Sequence, residues 1–262
     1  MAVDLHRMCD DLALESASWF ALLGALAESD WARPTPAPGW SVADQVSHLA
    51  YFDEMTVLGA RDPAAFAHAR DHQPRDGDRI TERVAKANRG RTPDDLLAWT
   101  HRARADVDAT FRTLDPATRV PWYGPDMSAA AALTARIMET WAHGHDVADA
   151  VGAEWPVTRA LRHVAHIGAR SLPNAFRAHD RPVPDVPVRI ELTGPDGDVW
   201  EWGPDDAAER VTGPALDFGL LVTQRIARAD TALVAEGAVA EEWLGIAQAF
   251  AGPPGVGRAP RS

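Results

Sequence analysis

The chain has 262 residues, 46% hydrophobic and 24% charged, which is room for one large or two modest globular domains. A formal net charge of -12 argues against nucleic acid or an anionic membrane as partner, and no apolar run is long enough to cross a bilayer. Cys9 is the single cysteine, so no internal disulfide can form. The opening "MAVDLHRMCDDLALES" is polar and acidic, unlike a signal peptide, and a cytoplasmic protein is expected. Lys86 is the only lysine beside abundant arginine, the bias of a GC-rich genome, with an actinobacterial source as the expectation.

Residues 4–29 read as one long helix, with Cys9 early on it as an inert buried thiol. A proline-rich loop through Pro38-Gly39 follows. In "PGWSVADQVSHLAYFDE", Ser41 is an N-cap, Asp44 completes a capping box, and Val42, Val46 and Leu49 mark a core stripe. His48 lies in this helix, off the centre of that stripe. The helix runs toward Asp62 and continues beyond, until a polar break at residues 72–79. "TPDDLLAWTHRARADVDATFRTLDP" is a helix with Thr92 as N-cap and Pro93 at its first position. "VPWYGPDMS" is a turn-rich loop carrying Trp122 and Tyr123, and Ser128 caps a helix to about Val151. Helical pattern then continues to about residue 180, kinked near Pro173. After the proline-rich "RPVPDVPV", "VRIELTGPDGDVWEWG" alternates like two strands joined at Gly-Pro-Asp-Gly. A helix after Gly213-Pro214, a short strand at "TALVAEG" and a terminal helix at "AVAEEWLGIAQAFAG" complete the chain. The expected fold class is α+β: a helical bundle over 1–182 and a small α+β domain over 183–262.

Within "ARIMETWAHGHDVADA", Glu139 and His143 are four apart and stack on one helical face, joined a turn later by Asp146. A carboxylate and an imidazole at that spacing can reach one metal ion, and His48 from another helix would make a third ligand. Three protein ligands with an open position is the pattern of catalytic zinc, and bundle interiors are a common place for it. The spacing alone leaves open a surface hydrogen-bonded pair and a core histidine. Asp44 either caps its helix or orients His48, and Asp146 either supports the site or pairs along its helix. His145 points off the ligand face. Trp122 and Tyr123 either line the pocket or pack the loop. Arg159, His163, His166, Arg170 and Asn174 form a stripe that grips an anion or pairs with acidic neighbours. No dinucleotide fingerprint and no Ser-His-Asp context is present.

"PGWSVADQVSHLAYFDE" together with "WYGPDMSAAAALTARIMETWAHGHDVADA" resembles the mycothiol-dependent maleylpyruvate isomerase group of the DinB-like superfamily. The likeness covers the whole chain in layout and is most specific at these two motifs. "ERVTGPALDFGLLVTQR" resembles a domain of wyosine-base-forming proteins. The resemblance implies an N-terminal four-helix bundle with His48, Glu139 and His143 as metal ligands, zinc as the metal, and mycothiol as the thiol partner. It also implies a catalytic arginine from a "TGR"-like motif, which falls on Arg225, although Gln224 stands where the family has glycine. The expected activity is isomerisation or S-transfer on a small electrophile, by a monomer or homodimer. A metal-dependent hydrolase and a non-catalytic metal- or ligand-binding protein remain as alternatives.

Overall fold

A computed structural model describes residues 3–74 and 79–260, in two compact units, Met1–Pro156 and Val157–Ser262. The first contains α1 (Leu5–Gly24), α2 (Val42–Arg61), α3 (Pro63–Asp71), α4 (Ile80–Asn88), α5 (Pro93–Phe111), β1 (Arg119–Val120), β2 (Met127–Ser128) and α6 (Ala129–Val151). The second contains α7 (Leu161–Ala169), α8 (Leu172–Ala178), β3 (Val188–Thr193), β4 (Val199–Trp202), β5 (Glu209–Pro214), α9 (Ala215–Val222), β6 (Val234–Glu236) and α10 (Ala238–Ile246). Among the described residues, no helix is long and apolar enough to cross a membrane.

Each bundle helix starts where a side chain satisfies its exposed N–H groups. Asp4 caps α1, Thr92 caps α5 ahead of Pro93, and Ser128 caps α6. The Ser41–Asp44 capping box opens α2, with Ser41 N–H donating to Asp44 Oδ2 at 2.9 Å. Val42, Val46 and Leu49 of α2 are fully buried, as are Trp19 of α1, Leu96 and Val107 of α5, and Ile137 and Trp141 of α6. Each such side chain contributes on the order of 1.5–3 kcal/mol by leaving water. α1 packs on α5 and α6, and α2 packs on the same two, which closes a four-helix bundle.

Several boundaries differ from the sequence expectation. The first helix ends at Gly24 rather than near 29, and a separate 3-10 turn spans Glu28–Ala32. The polar break at 72–79 lies between α3 and α4, and half of it, residues 75–78, is outside the described residues. The "VPWYGPDMS" loop is closed at its ends by the antiparallel pair β1–β2. The two compact units divide after Pro156. Trp155 accounts for the first side of that division: its Nε1–H donates to buried Glu15 at 3.3 Å, and a Cβ on Gly144 would lie 2.3 Å from its ring. α7 packs instead on α9, where a Cβ on Gly168 would meet Val222 and Phe218 at 2.8 and 2.9 Å.

The second unit carries a four-stranded sheet of order β4-β3-β5-β6, antiparallel except for the parallel β3–β5 pair. The β3–β4 hairpin turns at Gly-Pro-Asp-Gly, with Gly197 at positive φ. Ile190, Leu192, Trp200 and Val211 fill the sheet's buried face. The last helix stops at Ile246, short of the expected 252.

Candidate metal centre

The site is built from two helices of the bundle. On α2, Gln45, His48 and Phe52 follow each other at i, i+3 and i+7, one face of a helix. On α6, Arg136, Glu139 and His143 have the same spacing. The faces meet, and His48, Glu139 and His143 each offer a ligand atom within 4.8 Å of the others. Glu139 Oε2 lies 3.3 Å from His48 Nε2 and 3.1 Å from His143 Nε2.

A directed hydrogen-bond chain assigns the tautomer of His143. Thr35 O–H donates to the Trp40 carbonyl at 3.0 Å, so its oxygen receives Gln45 Nε2–H, at 2.8 Å. Gln45 therefore presents its Oε1, an acceptor, to His143 Nδ1, which must carry the hydrogen. In neutral His143 the Nε2 lone pair then faces a carboxylate oxygen. Two acceptors 3.1 Å apart need a cation between or beside them, a proton or a metal ion. The donor set of two imidazole nitrogens and one carboxylate fits a divalent transition metal, zinc among them.

The electrostatics agree. Burial, then the neighbouring His143, lowers the pKa of His48 to about 4, so its ring is neutral at physiological pH and able to coordinate. Burial alone would raise the Glu139 carboxyl. With a proton standing in the metal's place on Nε2 of His143, the hydrogen bonds from His143 and His48, with the charges of His143 and Arg136, outweigh it and hold the group well below the usual carboxylate range. Aromatic rings enclose the site. Trp40 stacks on His143 at 6.0 Å between centroids and tilts against His48 at 5.1 Å, and Phe52 lies 4.6 Å from His48. The loop that carries Trp40 is pinned by Thr35 N–H to the Trp40 carbonyl and by the Pro34–Ser41 bridge, with Gly39 at φ +80° making the turn.

Trp122 lies 5.9 Å from Phe52 and 6.1 Å from Phe66, and Tyr123 contacts both of those rings. Tyr123 places its hydroxyl 3.4 Å from that of Tyr51. Asp44 acts as a cap and pairs with Arg89 at 3.1 Å; among the described residues His48 Nδ1 has no hydrogen-bond partner. Asp146 Oδ2 is 3.9 Å from His143 Nδ1. His145 turns away, edge-on to Trp141 at 4.2 Å. In the second unit His166 receives Trp202 Nε1–H at 3.2 Å, so part of the expected anion stripe is occupied by packing. Arg225 also belongs to the second unit, where its guanidinium donates to the Thr223 carbonyl. Gln45, Trp40 and Arg136 were not among the sequence expectations; the i, i+3, i+7 spacing puts Gln45 and Arg136 on the ligand faces, whereas Trp40 comes from the preceding loop.

The profile of the mycothiol maleylpyruvate isomerase N-terminal domain matches residues 12–148, and that of the wyosine base formation domain matches 184–236. Two uncharacterized proteins of Mycobacterium tuberculosis, from strains CDC 1551 and H37Rv, are each 44% identical over 248 residues, spanning 95% of this chain and 96% of theirs. Crystal structures of the mycothiol-dependent maleylpyruvate isomerase share the fold. A His-to-Ala mutant aligns with TM-score 0.61 at 15% identity, and another structure of the isomerase with 0.59 at 16%, each covering 89% of this chain and 93% of the other. The chain therefore belongs to the DinB-like family of the mycothiol maleylpyruvate isomerase N-terminal domain, with a wyosine-like domain at its C-terminal end.

Proposed function

We propose that this protein is a cytoplasmic, zinc-dependent enzyme that uses a small thiol, mycothiol, to isomerise a small electrophile or to join the thiol to it through sulfur (S-transfer). The observation that carries this reading is the convergence of His48 Nε2, His143 Nε2 and Glu139 Oε2 inside the bundle. Family membership adds the thiol, since the related crystal structures are of a mycothiol-dependent isomerase. Bound there, zinc would supply a Lewis acid that favours the deprotonated thiol. The chain's own residues do the rest. Gln45 holds His143 in the tautomer that leaves Nε2 open. Trp40 and Phe52 exclude water around the ligand nitrogens. Trp122 and Tyr123 line the approach for thiol and substrate.

The test is metal analysis of untagged protein followed by thiol-binding calorimetry. His48→Ala, Glu139→Ala and His143→Ala should each lose most of the metal, because each removes one of three protein donors, whereas His145→Ala should keep it. Full occupancy in any two of the three ligand variants would overturn the assignment. Turnover that does not depend on added thiol would replace this reading with a hydrolase.

A further inference from the structure

One charged group at the site is left over once the triad is accounted for. Arg136 lies on α6 one turn before Glu139, on the same face as both α6 ligands, and only 4% of it is exposed. A guanidinium is always charged and carries five N–H donors in a planar fork. Arg136 makes no hydrogen bond with the described residues, and its Nη1 is a buried, unpartnered atom. Arg136 forms an ion pair with Asp53 Oδ1 at 3.6 Å, beyond hydrogen-bond range, and that oxygen is itself buried without a hydrogen bond among the described residues, while the other Asp53 oxygen receives Arg104 Nε–H at 2.9 Å. Arg104 is better served, with Asp53 and Ser16 in contact and Glu15 nearby. Asp53 thus offsets part of the Arg136 charge but answers none of its donors, and a buried guanidinium without acceptors is costly.

The surroundings point the same way. The guanidinium carbon sits 5.7 Å from the Trp122 ring centroid, and Trp122, Phe52 and His48 form a continuous chain of ring contacts from Arg136 to the metal ligands. Trp122 and Tyr123 are only half-buried, so this aromatic wall reaches the surface. The ligand face therefore combines a metal site with a desolvated, fork-shaped cation one helical turn away.

We propose that Arg136 is the anion-recognising residue of this site, binding a carboxylate on the molecule that reaches the metal, so that ligands combining a metal-seeking group with a nearby carboxylate are selected. This deepens the proposed function and rests on it only for the metal-seeking group being a thiol. The competing role for Arg136 is purely structural, as a counter-ion to Asp53.

Cobalt-substituted protein separates the two, using 3-mercaptopropionate and the similarly sized neutral 2-mercaptoethanol as probes, read by sulfur-to-cobalt charge-transfer absorption. Charge-assisted hydrogen bonds to a carboxylate should favour 3-mercaptopropionate by about tenfold or more in the wild type. Arg136→Gln leaves the Asp53–Arg104 pair in place and should erase that preference while 2-mercaptoethanol binds as before. Arg136→Lys keeps the charge beside Asp53 but loses the fork, so the preference should fall severalfold; it carries the test if the glutamine variant does not fold. Equal affinities for the two thiols in the wild type, or an undiminished preference in the folded variants, would overturn the proposal. If cobalt binds but neither thiol gives a charge-transfer band, the thiol reading fails and Arg136 is judged on propionate. A propionate-induced change in the cobalt d–d spectrum that is lost in Arg136→Gln supports the carboxylate site; no change, or the same change in both, overturns it.

Discussion

Gln45 is the most informative residue to change, because it touches a metal ligand without being one. It is fully buried, and both ends of its amide are used: Nε2–H donates to Thr35, and Oε1 accepts from His143 Nδ1. Gln45→Leu keeps approximate volume and removes both bonds. The His143 Nδ1–H then lacks its acceptor, and among the described residues the carboxylate in ion-pair contact with that nitrogen is Asp146, at 3.9 Å. Recapturing the proton there would require the ring to swing, and Nε2 would leave its place 3.1 Å from Glu139. Losing an outer partner of a ligating histidine typically weakens metal binding about 10- to 100-fold, or ~1.4–2.7 kcal/mol. The apoprotein should also lose about 1–3 kcal/mol of stability from the unsatisfied buried N–H, partly offset by the leucine. Gln45→Glu keeps an acceptor toward Nδ1 and should keep the affinity. Competition with a chromophoric zinc chelator at neutral pH measures both variants, with thermal unfolding of the metal-free proteins as the control for folding. A folded Gln45→Leu protein that binds zinc like the wild type would refute the relay and leave some other group fixing the tautomer.

Three further outcomes are expected. The metal-free protein should lose stability on acidification, because the His48 pKa is about 4 when folded against 6.5 for an ordinary histidine. The unfolded chain binds the extra proton first, so His48's contribution is fully present above 6.5 and declines as pH falls toward 4, by about 3 kcal/mol in all. Glu139, depressed below its ordinary range, acts with the same sign at lower pH, and chemical denaturation across this window should find a flatter slope in His48→Gln. Cys9 is fully buried and its thiol is raised to about 11, burial being the largest cause, so native protein should resist iodoacetamide at neutral pH and Cys9→Ala should retain turnover; rapid alkylation would contradict the buried placement. Gly144→Ala would drive a methyl group to 2.3 Å from the Trp155 ring and should cost about 1–3 kcal/mol in thermal unfolding, and an unchanged transition would mean that the contact yields freely.

What could be read from the sequence was what short-range chemistry encodes. The helix starts at Ser41, Thr92 and Ser128 follow from side chains bonding their own backbone a few residues on, and the structure has all three. The pairing of Glu139 with His143 is equally local. His48 is different: it is one of ten histidines, and only the motif resemblance singles it out from 91 residues away. Gln45 and Arg136 were passed over because a polar residue three positions before a ligand looks the same whether it faces solvent or the site. Strand β5 escaped for a related reason. "ERVTGP" is short and polar, and it is a strand because β3 lies parallel on one side and β6 antiparallel on the other. The fit of Trp155 over Gly144, just before the division at Pro156, is a tertiary contact that no periodicity reports.

The departure at "TQR" is resolved by the backbone. Helix α9 ends at Val222 with Thr223 as its C-cap, which places Gln224 at the next position and Arg225 after it. Gln224 N–H donates to the Leu221 carbonyl at 2.9 Å and Arg225 N–H to the Leu220 carbonyl at 2.7 Å, the two bonds of a Schellman closure. That closure needs a left-handed residue at the position of Gln224, which has φ +62°. Glycine fits there without strain, whereas a side chain adds on the order of 1 kcal/mol. Gln224 is held there by its own amide, whose Nε2 lies 3.4 Å from both the Ala247 carbonyl and Gln248 Oε1, with Gln248 fully buried. A glycine at this position would serve the same turn. Its replacement leaves the path of the chain into Arg225 intact, so the direction in which the arginine departs from the helix is set by the closure, whichever residue precedes it.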